Sequence, residues 1–168
     1  MNNWVSKLVL KLDRPAKPYN VVGEKYGIKR FSNFIELIEG DYVLLADIPE
    51  WVGLPKVRPH LHYIGPLPAR IDRKIPEEVA EMPKDKPVVY FAMGSSGKPK
   101  LIEEIITGFK GKPYHVIAPV KSNIRDLNLE IPPNVVVTGF LPAHRVNPMA
   151  DISVIHGGQN TVMNACLS

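Results

Sequence analysis

The chain has 168 residues, 45% of them apolar, enough for one domain or parts of two and for a real core. Its net charge of +4 mildly favours anionic partners such as nucleotides, phosphates or a lipid surface. No segment clusters lysine and arginine as a nucleic-acid surface requires, and the single cysteine, Cys166, excludes an internal disulfide or a cysteine-based zinc site.

The lone cysteine makes a reducing, cytoplasmic setting the default, and the start, MNNWVSKLVLKL, shows no apolar core or cleavage site of a secretory signal. Apolar runs such as VVYFAM stop far short of the roughly 20 residues of a membrane span. Trp4, Val5, Leu8, Val9 and Leu12 recur at helical spacing and predict an amphipathic helix over 3–12, ended by Asp13-Arg14-Pro15. A short helix is expected around 19–26, before Gly27. YVLLAD, after Gly40-Asp41, reads as a buried strand, and HLHYIGPLP reads as a second strand closed by a Gly-Pro turn. Residues 66–87 carry five prolines and many charges, the composition of a linker or long surface connection.

The texture then changes. VVYFAM (88–93) is continuously apolar and ends at GSSGKPK. A helix follows, with Leu101, Ile102, Ile105, Ile106 and Phe109 on one stripe. HVIAPV (115–120), VVVTGF (135–140) and ISVIH (152–156) add three strands. Two connections are long enough for crossovers, and the third, 141–151, is borderline. Strands apolar on both faces, joined by crossovers, imply a parallel α/β sheet. Ligands of such sheets bind beyond the carboxyl ends of the strands, where two glycine-rich segments fall: Gly94-Ser95-Ser96-Gly97 and His156-Gly157-Gly158-Gln159-Asn160-Thr161.

The second segment suits a diphosphate. Its glycines allow a sharp turn and close approach, the helix after it offers unpaired N–H groups and partial positive charge, and His156, Asn160 and Thr161 add polar groups. The plain alternative is a turn and helix cap. The first segment is open in the same way between a phosphate loop and a cap. It fits neither the dinucleotide fingerprint nor the P-loop.

Taken together, PVVYFAMGSSG, NVVVTGFLPAHRV and MADISVIHGGQNTV, at these distances, resemble the nucleotide-sugar-binding domain of GT-B glycosyltransferases, the UDP-glycosyltransferases and the macrolide, antibiotic and lipid enzymes related to them. The resemblance covers 87–168. It implies a Rossmann-like parallel sheet of about four strands, a linker over 67–86, and residues 1–66 as the end of an acceptor-binding domain. It implies that His156, Gly157, Gly158, Asn160 and Thr161 hold the donor diphosphate, with Ser95 and Ser96 facing it, and that Phe140 and Leu141 pack on the nucleotide base, Phe140 by stacking unless it is a core aromatic. Asn164 stands where many relatives have a glutamate that accepts from both ribose hydroxyls. An amide has one acceptor oxygen, so ribose is held less tightly or the nucleotide preference differs, unless Asn164 is an exposed helix residue. Cys166 reads as a small buried residue on the same helix.

The expected activity is transfer of a sugar from a UDP- or dTDP-linked donor to an acceptor hydroxyl, without a metal cofactor, the acceptor being hydrophobic or a lipid and the protein peripheral at a membrane. The family's later elements, a Gly-x-Pro turn and an acidic-Gln pair, do not follow, so the chain is expected to be a fragment that alone transfers no sugar. Its open sheet edge would then be covered by self-association or a partner subunit. No catalytic base is assigned. His60 and His62 sit in a strand before the linker without metal-ligand partners, His115 begins a strand, and His144 follows the Leu141-Pro142 turn, at the surface unless it lines the cleft. Two other expectations are a non-catalytic donor-binding subunit of a split enzyme and a nucleotide-sugar 2-epimerase of the same fold.

Overall fold

The computed structural model describes residues 16–53, 56–95 and 97–168. The helix expected over 3–12, its end at 13–15, and Ser96 lie outside the described residues. The chain divides into two compact units, Met1–Pro66 and Leu67–Ser168.

In the first unit, helix α1 (Lys17–Glu24) has Pro18 in its first turn, where the missing N–H would have no partner within the helix. The short helix expected near 19–26 is therefore present, two residues earlier. Its Asn20 is buried and ties down the following loop, donating to the Phe31 carbonyl at 2.8 Å and accepting from the Phe31 N–H at 2.9 Å. Helix α2 (Phe34–Ile38) is capped by Asn33, whose side chain accepts from the Ile35 and Glu36 N–H groups, while Glu36 reaches back to the Ser32 N–H. Strand β1 (Val43–Leu45), helix α3 (Pro49–Val52) and strand β2 (Leu61–Tyr63) follow, the two strands pairing in parallel. β1 is not the buried strand its apolar sequence suggests. Leu44 is 62% exposed, because alternate residues of a strand face opposite sides and the described residues of this unit cover only one.

The second unit is a four-stranded parallel sheet built from β3 (Val88–Ala92), β4 (His115–Ala118), β5 (Val135–Val137) and β6 (Ile152–Ile155), in the order β5-β4-β3-β6. Central β3 is buried along its whole length, which accounts for its unbroken apolar sequence. Its pleat divides the core in two. Val89 and Phe91 join Val116, Ala118 and Val135 on one face, beneath Ile102 and Ile106 of helix α5 (Pro99–Gly108). Val88, Tyr90 and Ala92 join Ile117, Leu141 and Val146 on the other. Ile102 and Ile106 are fully buried, and each contributes about 1.5–3 kcal/mol by leaving water. Leu101, expected on the same stripe, lies at its margin, 44% exposed.

Residues 67–86, read from their prolines as a connection, pack into this unit. Helix α4 (Glu77–Ala80) buries Val79 completely against the second face, with Ile75 and Met82 beside it. The crossover from β4 to β5 forms no helix across 119–134. Pro119, Pro132 and Pro133 withhold N–H donors and Asn123, Asp126 and Asn128 favour turns, so Val120, Ile124, Leu127 and Leu129 cover the sheet from an irregular segment. The borderline connection before β6 forms a short helix α6 (Ala143–Val146) and a 3₁₀ turn (Asn147–Met149), and carries the chain from one edge of the sheet to the other. β6 is tied in by Asp151, whose carboxylate accepts from the Val88 N–H at 2.7 Å while its own N–H donates to the Val88 carbonyl at 2.8 Å. On this edge strand Ile152 and Val154 stay exposed, against the expectation of a strand covered on both faces.

Below the sheet, at the amino ends of the strands, Asp85 bonds the His115 ring at 2.8 Å. That hydrogen bond is the main reason its carboxyl lies below the ordinary carboxylate range. The folded state therefore takes up this proton less readily than the unfolded chain. The stability it contributes is complete above the unfolded value of about 3.9 and is lost as the pH falls through the lower folded value. Asp85→Asn should leave the urea midpoint falling less steeply with acidification below about pH 4 than in the parent protein. Parallel midpoint curves for the two proteins would show that the pair has no part in acid stability.

Candidate functional site

β3 is the turning point of the sheet. The chain leaves it toward β4 and β5 on one side and returns to β6 on the other, so a crevice forms at the carboxyl ends of β3 and β6. The register pairs Ala92 with Ile155, the last residues of both strands. The loops that begin one residue later are Met93-Gly94-Ser95 and His156-Gly157-Gly158, and they meet.

Their contact centres on the His156 ring. Its Nδ1 lies 3.4 Å from the Ala92 carbonyl oxygen. A Cβ placed on Gly94 would stand 2.7 Å from the ring, and one placed on Gly158 would stand 2.4 Å from Nε2. Both glycines are thus there for closeness. Gly94 at φ +58° and Gly157 at φ +79° also take left-handed backbone that a side chain would strain. With Nδ1 turned to the Ala92 carbonyl, Nε2 is the ring nitrogen left for a ligand. The Gly94 loop is held from the far side by Asn123, whose amide donates to the Gly94 carbonyl at 3.2 Å.

Helix α7 (Gln159–Cys166) starts at this contact, with Gly158 as a cap that offers no side-chain bond and no acidic residue in the first turn. Its positive end therefore faces the crevice without a carboxylate to neutralise it. Asn160 and Thr161, on the first turn, line a cavity of about 120 Å³ with Gly94, Tyr90, Phe140 and Asn164. The Asn160 Oδ1 accepts from the Asn164 amide at 3.1 Å and from the Ala69 N–H at 3.4 Å.

Asn164 is 3% exposed, which removes the reading of it as an exposed helix residue. Its amide nitrogen donates to the Asn160 carbonyl at 2.8 Å, and its buried Oδ1 is without a hydrogen-bond partner among the described residues. An orphaned acceptor costs free energy, about 1–3 kcal/mol, unless a ligand or water satisfies it. Phe140 is 58% exposed and so is not a core aromatic. The Arg73 guanidinium lies 5.7 Å from its ring centroid. Leu141, its neighbour, turns its side chain into the core and can offer a ligand only its main chain. Ser95 is exposed at the crevice loop, and Ser96 is outside the described residues.

Two expectations fail here. Cys166 is exposed rather than buried, because α7 turns that side away from the sheet. His144 is half-buried, with Nδ1 buried and unpartnered among the described residues, rather than at the surface. Tyr90, Arg73 and Asn123 were not singled out from sequence. Tyr90 carries the one signal available, a polar-tipped residue inside an aliphatic strand, and burial pushes its hydroxyl up to about 12. Among the described residues, no group of three His, Cys, Asp or Glu side chains could hold a metal ion. A larger cavity, about 580 Å³, lies at the opposite end of the sheet, beside Pro87, Val88 and Asp151.

No protein-family model matches the chain. Over 150 residues it is 29% identical to the PGL/p-HBAD biosynthesis glycosyltransferase of Mycobacterium tuberculosis, covering 88% of this chain and 35% of that protein. Over 170 residues it is 28% identical to the PGL/p-HBAD biosynthesis rhamnosyltransferase of Mycobacterium bovis, covering 96% and 37%. The chain thus spans about a third of the length of the curated relatives it matches. Among solved structures it is similar to the glycotransferase of kitacinnamycin, with a TM-score of 0.67 and 21% identity, over 96% of this chain and 44% of that one. The chain therefore has part of the GT-B glycosyltransferase fold. No helix among the described residues is long and apolar enough to cross a membrane.

The packing of His156 between glycines can be checked without a ligand. Gly158→Ala should destabilise the protein by about 1–3 kcal/mol, the range for overpacking, and the loss should shrink in a His156→Ala background. Urea denaturation of the four proteins of this cycle measures it. Equal losses in both backgrounds would mean that the ring is not what Gly158 makes room for.

Proposed function

We propose that the chain supplies the donor-binding loops of a glycosyltransferase, which moves a sugar from a nucleoside diphosphate to an acceptor hydroxyl. The observation that carries this reading is the meeting of the Gly94 loop, the His156 ring and the uncapped start of α7 at the turning point of a parallel sheet. The names of the relatives, a glycosyltransferase and a rhamnosyltransferase, support it.

The chemistry asks little covalent work of these residues. The acceptor oxygen forms a bond to the anomeric carbon as the bond from that carbon to the diphosphate oxygen breaks. The acceptor proton goes to a base for which no residue is assigned. Negative charge grows on the leaving diphosphate, and the positive end of α7, Thr161 and the His156 ring are proposed to meet it. The absence of a metal cofactor is part of the same proposal. The base would stack on the exposed Phe140 ring, and the ribose would reach the buried Asn164 acceptor. The donor is proposed to be UDP- or dTDP-linked. A cytoplasmic setting and a hydrophobic or lipid acceptor belong to the same proposal, on the ground of the lone cysteine and the basic balance.

Uridine diphosphate should bind the chain weakly and shift the amide signals of Gly157, Gly158 and Thr161 in an NMR titration. His156→Ala should weaken that binding by about 1.5–3 kcal/mol, the range for a hydrogen bond to a charged group. Equal binding by the two proteins, or no shifts at millimolar nucleotide, would leave the stretch as a turn and a helix cap.

A further inference from the structure

The cavity beside Phe140 is small for the ligand just proposed. It measures about 120 Å³, whereas sites for small organic ligands run to roughly 300–1,000 Å³. What narrows it is the chain's own segment 69–73. Ala69 and Ile71 form part of its wall. At one end of the segment the Ala69 N–H donates to the Asn160 side chain at 3.4 Å. At the other end Arg73 donates to the Phe140 carbonyl at 3.2 Å and lays its guanidinium over the Phe140 ring. Arg145 of α6 in turn donates to the Arg73 carbonyl at 3.1 Å, which anchors that end.

We propose that residues 69–73 are a strap that occupies the nucleotide site in the free protein and must be displaced from it by the base and ribose, with Arg73 as its latch. The inference rests on the donor-binding reading above. The strap engages that site at both ends: Asn160 on the diphosphate side and Phe140 on the base side. A base stacked on Phe140 needs the ring face that the guanidinium covers, and a ribose hydroxyl donating to the Asn160 oxygen competes with the Ala69 N–H. The latch is weak by construction. Arg73 and Phe140 are both exposed, and a cation over an aromatic ring at an exposed site is a small interaction. Displacement therefore lowers nucleotide affinity without abolishing it. Inorganic pyrophosphate accepts hydrogen bonds at the loops after β3 and β6 and does not reach the Arg73 latch on Phe140.

The test is Arg73→Ala, titrated by NMR with uridine diphosphate and, separately, with pyrophosphate. Loss of the latch should tighten uridine diphosphate binding roughly two- to fivefold and leave pyrophosphate binding unchanged. In the parent protein the Arg73 side-chain Nε–H signal should move on addition of uridine diphosphate and stay put with pyrophosphate. Unchanged or weaker uridine diphosphate binding by the variant overturns the strap, and makes Arg73 a bystander or a ligand contact. Pyrophosphate bound by both proteins alongside that result would leave the diphosphate site standing and remove the strap alone. Failure of both proteins to bind either probe overturns the strap together with the donor-binding reading.

Discussion

The pairing of β6 with β3 is the constraint on which the rest of the second unit depends. It is not a local contact, since the two strands are separated by α5, two other strands and an irregular crossover. It holds because β3 is the most buried strand and has two hydrogen-bonding edges to fill. One goes to β4. The other goes to β6, whose start is tied in by the Asp151 carboxylate and N–H. Once Ala92 and Ile155 stand side by side, the loops after them have nowhere to go but against each other, and a crevice opens where they part.

The closeness of those loops is bought with missing side chains. His156 lies in a space that a Cβ at Gly94 or Gly158 would fill, so the imidazole is held by sterics on two sides and by one long hydrogen bond to Ala92. Neither loop brings an acidic group to the start of α7. A helix terminus of this kind attracts an anion through main-chain dipoles already aligned by the fold, with no reorganisation when the anion arrives.

In three places two adjacent residues divide support from function. Phe91 packs under α5 while Tyr90 lies on the opposite face, beside the cavity. Leu141 enters the core while Phe140, one residue earlier, stays in solvent. On α7, Met163 is core and the adjacent Asn164 is buried with its acceptor oxygen unpartnered among the described residues. In each pair the apolar member anchors the backbone that presents the polar or aromatic one. A substitution in either member would therefore disturb the other.

By itself the sequence determined the four strands of the second unit, their parallel arrangement and the two glycine loops at their carboxyl ends. Each is written in local patterns: continuous apolar runs, a 3.6-residue stripe, and glycine followed by polar residues. It could not show that the proline-rich stretch 67–86 would pack into this unit, because prolines announce irregular backbone and say nothing of where Val79 is buried. Nor could it show that the crossover 119–134 would cover the sheet without a helix, or that Asn164 and Cys166, two residues apart on α7, would divide into buried and exposed. Which side of a helix meets the sheet depends on the crossing of elements distant in sequence. Only the tertiary structure decided that His156 fits between two glycines, that Asn123 holds the first loop, and that Arg73 lies over Phe140. Those contacts join residues that share no local pattern, and they exist only because the strand order brings their loops to one end of the sheet.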